Sequence, residues 1–170
     1  MMKARIFLAL FAVMGMTAAM AQDGVLVPNR LATAKIGEWA SYKLPDGYIQ
    51  KLTVAGREGS GELAMVTVRI ENIYDGEVVT AHEITQEAGE ALTEPRIPEE
   101  QGVTVSVRRD TAEAAGKSWP ATIVQIDRNR GEDDDGSVEW WVTADIPVFG
   151  IIQKVDEGRV MWVLDSWGDA

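Results

Sequence analysis

The stretch that decides the fold of this chain is Ala64-Met65-Val66-Thr67-Val68-Arg69-Ile70-Glu71. It is followed by the hairpin signal Tyr74-Asp75-Gly76 and by the run Glu77 to Thr85. Apolar side chains in the first stretch alternate with polar ones, which is the period of a strand with one buried face. Asp-Gly between two alternating runs is the strongest short-range signal for a β-hairpin. In the second run the residues predicted to share a face are Val78, Thr80, His82 and Ile84.

The same alternation recurs on both sides of this hairpin. Further strands are predicted over Trp39 to Leu44, Ile49 to Val54, Val103 to Val107, Trp119 to Ile126, Val138 to Ala144, Ile151 to Val155 and Val160 to Trp167. One or two helical turns are predicted from Gln86 to Leu92, before prolines that prevent a long helix, and a polar connection from Thr111 to Gly116. We expect a mainly β fold: a single curved antiparallel sheet or half-barrel of about eight strands, with one short helix or loop packed on it. A β-sandwich is the other β arrangement.

The N-terminus has the order of a cleavable signal peptide. Lys3 and Arg5 precede the apolar run from Ile6 to Met14, and small residues end in the pattern Ala19-x-Ala21. We predict a signal peptide over residues 1–21, a single β-rich domain over 22–170, and a periplasmic or secreted location. No later stretch has the roughly 20 apolar residues of a membrane helix, and the chain has no cysteine for a lipid anchor or a disulfide.

The chain is strongly acidic. Residues 1–21 contain two of the 16 basic residues and none of the 27 acidic ones, so the predicted mature chain carries 14 − 27, or −13. Such a charge repels nucleic acid and anionic membrane surfaces. We therefore expect no nucleic-acid partner.

Residues for familiar active-site chemistry are scarce. His82 is the only histidine, and no serine lies in a nucleophile motif, so a Ser-His-Asp arrangement is not indicated. One histidine without cysteine cannot supply a standard zinc site, and the acidic run Glu132 to Asp135 lacks the ligand spacing of an EF-hand. We expect no catalytic residue, no metal and no cofactor, although a pair of carboxylates acting as a hydrolase stays open.

The second half of the chain is rich in tryptophan. Trp140 and Trp141 are adjacent on a predicted strand and must point to opposite faces, so at least one of them is expected to lie outside the main core or under a second cover. The candidate ligand or partner surface comprises Trp140, Trp141, Phe149 and Trp162. Ordinary core packing is the competing interpretation.

Three segments carry a resemblance to a family. They are Ile36 to Tyr42, Glu139 to Lys154 and Leu164 to Ala170, matching the patterns VGxWxxY, a tryptophan strand with xVPxxGxxK, and LxxYG. The chain resembles a group of uncharacterised exported bacterial β-rich proteins, with Trp167 where that group has tyrosine. In architecture it is also similar to periplasmic lipoprotein carriers, whose curved sheet wraps an apolar cavity. The first resemblance implies no known activity.

These observations favour an exported, soluble, non-enzymatic binding protein for an apolar ligand or an envelope partner. One alternative is a structural or interaction protein without a small-molecule site. The other is the carboxylate-dependent hydrolase, which requires two buried acidic residues with raised pKa values.

Overall fold

The computed structural model describes residues 30–89, 103–128 and 136–169. The predicted signal peptide, the acidic run Glu132 to Asp135 and the end of the helix predicted from Gln86 to Leu92 lie outside the described residues. No helix in the described ranges is long and apolar enough to cross a membrane.

The described chain consists of strands and two short 3-10 turns. The strands are β1 Trp39–Lys43, β2 Ile49–Glu58, β3 Met65–Tyr74, β4 Glu77–Glu87, β5 Val103–Ala114, β6 Lys117–Arg128, β7 Gly136–Val142, β8 Ile151–Asp156 and β9 Arg159–Gly168. The 3-10 turns are Leu31–Thr33 and Gly61–Leu63. This confirms the prediction of a mainly β fold.

All nine strands belong to one antiparallel sheet in the order β4-β3-β2-β1-β9-β8-β7-β6-β5. The first strand pairs with the last, which joins two meanders, β1 to β4 and β5 to β9, side by side. The sheet is open, with β4 and β5 at its edges. The architecture is therefore the single antiparallel sheet that was predicted, and the two-layer β-sandwich is wrong.

Three hairpins close through two-residue turns in which both residues have positive φ. The pairs are Asp75-Gly76, Ala115-Gly116 and Glu157-Gly158, with φ of 50 and 79°, 51 and 71°, and 48 and 74°. Positive φ at both central residues is the type I′ geometry, whose twist matches that of the flanking strands. The prediction of a turn at Asp75-Gly76 is confirmed.

Strand β4 corrects two of the predictions. Gln86 and Glu87 continue β4, because each still pairs with β3, so the helix predicted from Gln86 does not begin there. A bulge between Val78 and Thr80 also breaks the expected alternation: Thr80, His82 and Ile84 share a face, but Val78 does not and is half exposed.

Strand β5 corrects a third prediction. It runs as far as Ala114, where Thr111 to Gly116 was predicted to be a polar connection. The turn there is only Ala115-Gly116, because every residue from Thr111 to Ala114 has a partner on β6.

One face of the sheet carries most of the core, and we call it the inner face. Its buried side chains on the first meander include the predicted row Val66, Val68 and Ile70. Those that continue it on neighbouring strands are Leu52, Val54, Ala40, Tyr42, Leu164, Trp162, Trp140 and Val124. The sheet is curved, since β5 approaches β8 and β9 without pairing with them and Trp119 of β6 packs edge-on against Trp167 of β9, with ring centroids 4.8 Å apart.

A short N-terminal segment packs on the sheet as the predicted loop or short helix. Leu31 at its centre is buried. The Arg57 guanidinium of β2 donates to the carbonyl oxygens of Leu31, Ala32 and Ala34, at 2.7 to 3.1 Å. Five guanidinium N–H groups in a rigid fork suit one arginine to bind several carbonyl groups at once, so this side chain fixes the segment to the sheet.

The connection between β7 and β8 is a compact, mostly buried loop. Ile146 and Val148 are completely buried in it, and Val148 has a φ of 66°, which is unusual for a β-branched residue. The Thr143 amide donates to the Gly150 carbonyl at 2.7 Å. Gly150 has a φ of 71°, and a Cβ there would collide with the Thr143 carbonyl oxygen, so this position requires a glycine.

Candidate functional site

The inner face brings two of the four candidate residues together. Trp140 of β7 and Trp162 of β9 lie on either side of Lys154 of β8, with which both are paired in register. Their rings meet edge to face, 5.7 Å between centroids. Both indoles are nearly buried, at 5% and 4% exposed.

Trp141 lies on the opposite face. It is paired with Ile123 and Gln153, and its indole N–H donates to a Glu139 carboxylate oxygen at 3.0 Å. The other oxygen of Glu139 accepts from Arg108 at 2.8 Å, and this bond is the main reason that the pKa of Glu139 is lowered. Trp141 therefore belongs to a polar network and does not contribute to a joint surface with Trp140.

Phe149 lies in the connection between β7 and β8. It is half-buried and packs against the core. No contact between Phe149 and the rings of Trp140 or Trp162 is among the aromatic contacts of the described residues. The structure thus separates the four predicted residues into a pair and two single positions.

Two residues outside the predicted set complete the group at Trp140 and Trp162. The Lys154 ammonium lies 5.1 Å from the Trp140 ring centroid and 5.8 Å from that of Trp162, within the range of cation–π attraction. The ring of Tyr42 lies 5.9 Å from Trp162. We call Tyr42, Trp140, Lys154 and Trp162 the inner-face cluster.

Burial shifts the titration of two members of the inner-face cluster. It lowers the pKa of the Lys154 amine, because desolvation disfavours the ammonium; the nearby charges of Asp156 and Arg128 act in opposite directions and more weakly. It raises the pKa of the Tyr42 phenol, which is completely buried and stays neutral. The cluster therefore combines a partly desolvated cation with a neutral hydroxyl group.

Several polar atoms at and beside the cluster have no hydrogen-bond partner among the described residues. They are the Tyr42 hydroxyl, the Trp140 indole nitrogen and the Gln50 side-chain oxygen, all buried. Gln50 is the cross-strand neighbour of Tyr42. Buried polar groups are normally paired, and an unpaired one costs about 1–3 kcal/mol.

Several other buried polar groups among the described residues are satisfied. The indole N–H of Trp119, on β6, donates to the Ala114 carbonyl at 3.0 Å. The buried Glu38 carboxylate accepts from Arg30 at 2.8 Å and from the Lys35 amide at 3.0 Å. Gln50 itself uses its amide nitrogen to donate to Asn72 at 3.0 Å. Three of the four buried side-chain atoms without a partner among the described residues therefore lie in the inner-face cluster or beside it, and the fourth is the Gln86 amide nitrogen on β4.

Sequence reasoning missed Tyr42 and Lys154 as site residues, although a signal for both was present. Each lies in a segment that carries the family resemblance, Tyr42 at the end of the first and Lys154 at the end of the second. Strand alternation could not place Tyr42 against Trp162, because this contact depends on the pairing of β1 with β9.

The described residues offer little to the hydrolytic alternative. Glu38 is the one buried carboxylate among them, and it is paired with Arg30 rather than with a second acidic group. Within the same ranges, no group of three or more His, Asp or Glu side chains could hold a metal ion.

The fold and the inner-face cluster define an open-sheet β protein with an aromatic, lysine-containing inner face. Among solved structures, the chain is similar to a protein of Bacteroides fragilis NCTC 9343 described as a "putative exported protein with YmcC-like fold". The two are 12% identical with a TM-score of 0.53, over 80% of this chain and 97% of that one, so the likeness shows a shared fold. No family model and no curated protein matches the chain.

Proposed function

We propose that this chain is an exported binding protein that holds an apolar ligand at the inner-face cluster. The observation that carries the proposal is that two tryptophans flank a lysine and a tyrosine packs against one of them, while the buried tyrosine hydroxyl and a buried indole N–H lack partners among the described residues. Binding sites for small molecules are mostly apolar and aromatic, with a few convergent polar groups. The inner-face cluster has this composition.

Export is the second part of the proposal. It is supported by the signal-peptide pattern of residues 1–21 and by the fold shared with a protein described as exported. Cleavage after Ala21 predicts a mature N-terminus at Gln22. Expression of the full chain in a Gram-negative host, osmotic release of the periplasm and N-terminal sequencing test this part.

The binding test is native mass spectrometry on the protein released from the periplasm, followed by extraction and identification of bound molecules. A stoichiometric apolar molecule supports the proposal. A clean unliganded mass, with no change in tryptophan fluorescence on titration with lipids and detergent-like molecules, overturns it and leaves the structural or interaction role.

Two adjacent tryptophans provide a matched pair of variants. Trp140→Phe removes the unpaired indole N–H from the inner face, whereas Trp141→Phe changes the opposite face. We expect loss of the bound molecule from Trp140→Phe and its retention in Trp141→Phe. Equal loss from both variants would contradict a site on the inner face.

A further inference from the structure

The charge of the inner-face cluster indicates what kind of ligand it accepts. We propose that the site selects an apolar molecule that ends in one negatively charged group, a carboxylate or a phosphate, with Lys154 as its counter-charge. This inference rests on the proposed function and adds the chemical class of the ligand.

The first step is that Lys154 has no close anionic partner among the described residues. The ion pairs among the described residues are Arg30 with Glu38, Lys43 with Asp165, Arg69 with Glu71 and Arg108 with Glu139. Lys154 is more buried than Lys43, yet it forms none; Asp156, two residues along the strand, acts on it only at longer range. A partly buried ammonium without a close counter-ion is costly unless something else supplies one.

The second step is the nature of the unpaired atoms in the inner-face cluster. The Trp140 indole nitrogen can only donate a hydrogen bond, and the Tyr42 hydroxyl can donate one. An ammonium with two such donors matches an anionic oxygen, since hydrogen bonds to ionised groups are shorter and stronger than neutral ones. A wholly apolar ligand would leave these donors unpaired.

The third step is that packing alone does not require a lysine here. Its stem could cover the indoles equally well as a methionine, which carries no charge to desolvate. The chain as a whole has a net charge of −11, which repels anions. A local cation between aromatic rings is therefore the feature that would let an otherwise acidic protein accept an anionic ligand.

The test compares ligands that have an alkyl chain of the same length and differ in their end group. Tetradecanoate, tetradecyl phosphate, tetradecanol and inorganic phosphate are titrated by tryptophan fluorescence and calorimetry, each below its aggregation threshold. We expect the two long-chain anions to bind about ten-fold more tightly than tetradecanol, which corresponds to about 1.4 kcal/mol. Inorganic phosphate should bind far more weakly than tetradecyl phosphate, because it has no apolar body.

The variants isolate the charge. Lys154→Met should remove the preference, so that tetradecanoate binds about as tightly as tetradecanol to this variant, whereas Lys154→Arg should keep the preference for the anions. Lys51→Met is the matched control, because Lys51 also lies over a tryptophan ring, 4.7 Å from that of Trp39, but on the opposite face. In the unmodified protein, added salt should weaken the binding of tetradecanoate and not that of tetradecanol.

The outcomes separate the two proposals. Equal affinity for tetradecanoate and tetradecanol overturns the anion preference and leaves the binding function standing. Equal affinity for inorganic phosphate and tetradecyl phosphate also overturns it, since the alkyl chain of the ligand would then contribute nothing to binding. Absence of binding by every long-chain compound overturns both proposals.

Discussion

Removal of the Tyr42 hydroxyl is expected to raise the stability of the ligand-free protein. The phenol ring is completely buried and packs against Trp162, so Tyr42→Phe keeps these contacts and removes only an oxygen without a partner among the described residues. Because an unpaired buried polar group costs about 1–3 kcal/mol, we expect the ligand-free protein to gain about 1–2 kcal/mol. For a chain of this size each kcal/mol raises the melting temperature by about 2–4 °C, which gives about 2–8 °C in total.

Ligand binding should move in the opposite direction. A typical hydrogen bond contributes about 0.5–1.5 kcal/mol, so its loss in Tyr42→Phe should weaken binding by about 2- to 12-fold. Differential scanning calorimetry measures the first effect and a fluorescence titration the second.

The control for this prediction is Tyr74→Phe, because Tyr74 is 50% exposed and the change there should stay within about 0.5 kcal/mol. A lower melting temperature for Tyr42→Phe would refute the reasoning, because the hydroxyl would then have a stabilising partner. Unchanged affinity would remove Tyr42 from the site.

Three further changes test the stability of the site and of the structure around it. Gly150→Ala should lower the free energy of unfolding, measured by urea denaturation, by about 3 kcal/mol, because the alanine would have a left-handed φ and its Cβ would collide with a carbonyl oxygen. Gly116→Ala is the control, since Gly116 has a similar φ but open space around it, and it should cost about 1 kcal/mol. Lys154→Met should be more stable than the unmodified protein at neutral pH, because the lowered pKa of the amine is a penalty on folding. Between that lowered pKa and the ordinary 10.5 the folded state binds fewer protons than the unfolded state, so the unmodified protein should gain stability as the pH rises. The difference in stability between Lys154→Met and the unmodified protein should therefore narrow across this range. Denaturation at several pH values measures this difference, and a constant value would contradict the assignment. Arg57→Met should destabilise the protein by about 3 kcal/mol and expose the segment at Leu31 to limited proteolysis, through loss of its carbonyl contacts.

The elements that could be predicted from the sequence are those set by neighbours along the chain. Alternation located β3 because its side chains in fact line one buried face, and Asp75-Gly76 marked a turn whose geometry needs positive φ. The helix predicted from Gln86 failed for the opposite reason. Pairing with β3 continues through Glu87, and this tertiary contact overrides the local preference of a glutamate-rich segment.

The candidate site was predictable in its aromatic content and not in its assembly. Alternation correctly separated Trp140 from Trp141, since adjacent strand residues point to opposite faces. The contact between Tyr42 and Trp162 depends on β1 pairing with β9 across more than a hundred residues, which no local pattern encodes. Lys154 carries no signal in composition, because its importance lies in the two rings beside it and in the lack of a close carboxylate.

The expected effects of the variants divide in a way that bears on function. Gly150 and Arg57 obey the ordinary rules of folding, so changing them should reduce stability. Tyr42 and Lys154 violate those rules, since each buries a polar or charged group without a close partner, and changing them to apolar residues of similar size should raise stability. Natural proteins keep such violations mainly at functional sites. A cluster that served only as core would have no reason to keep both groups, and a rise in stability joined to a loss of binding in the same two variants is the result that a binding site predicts and a packing role does not.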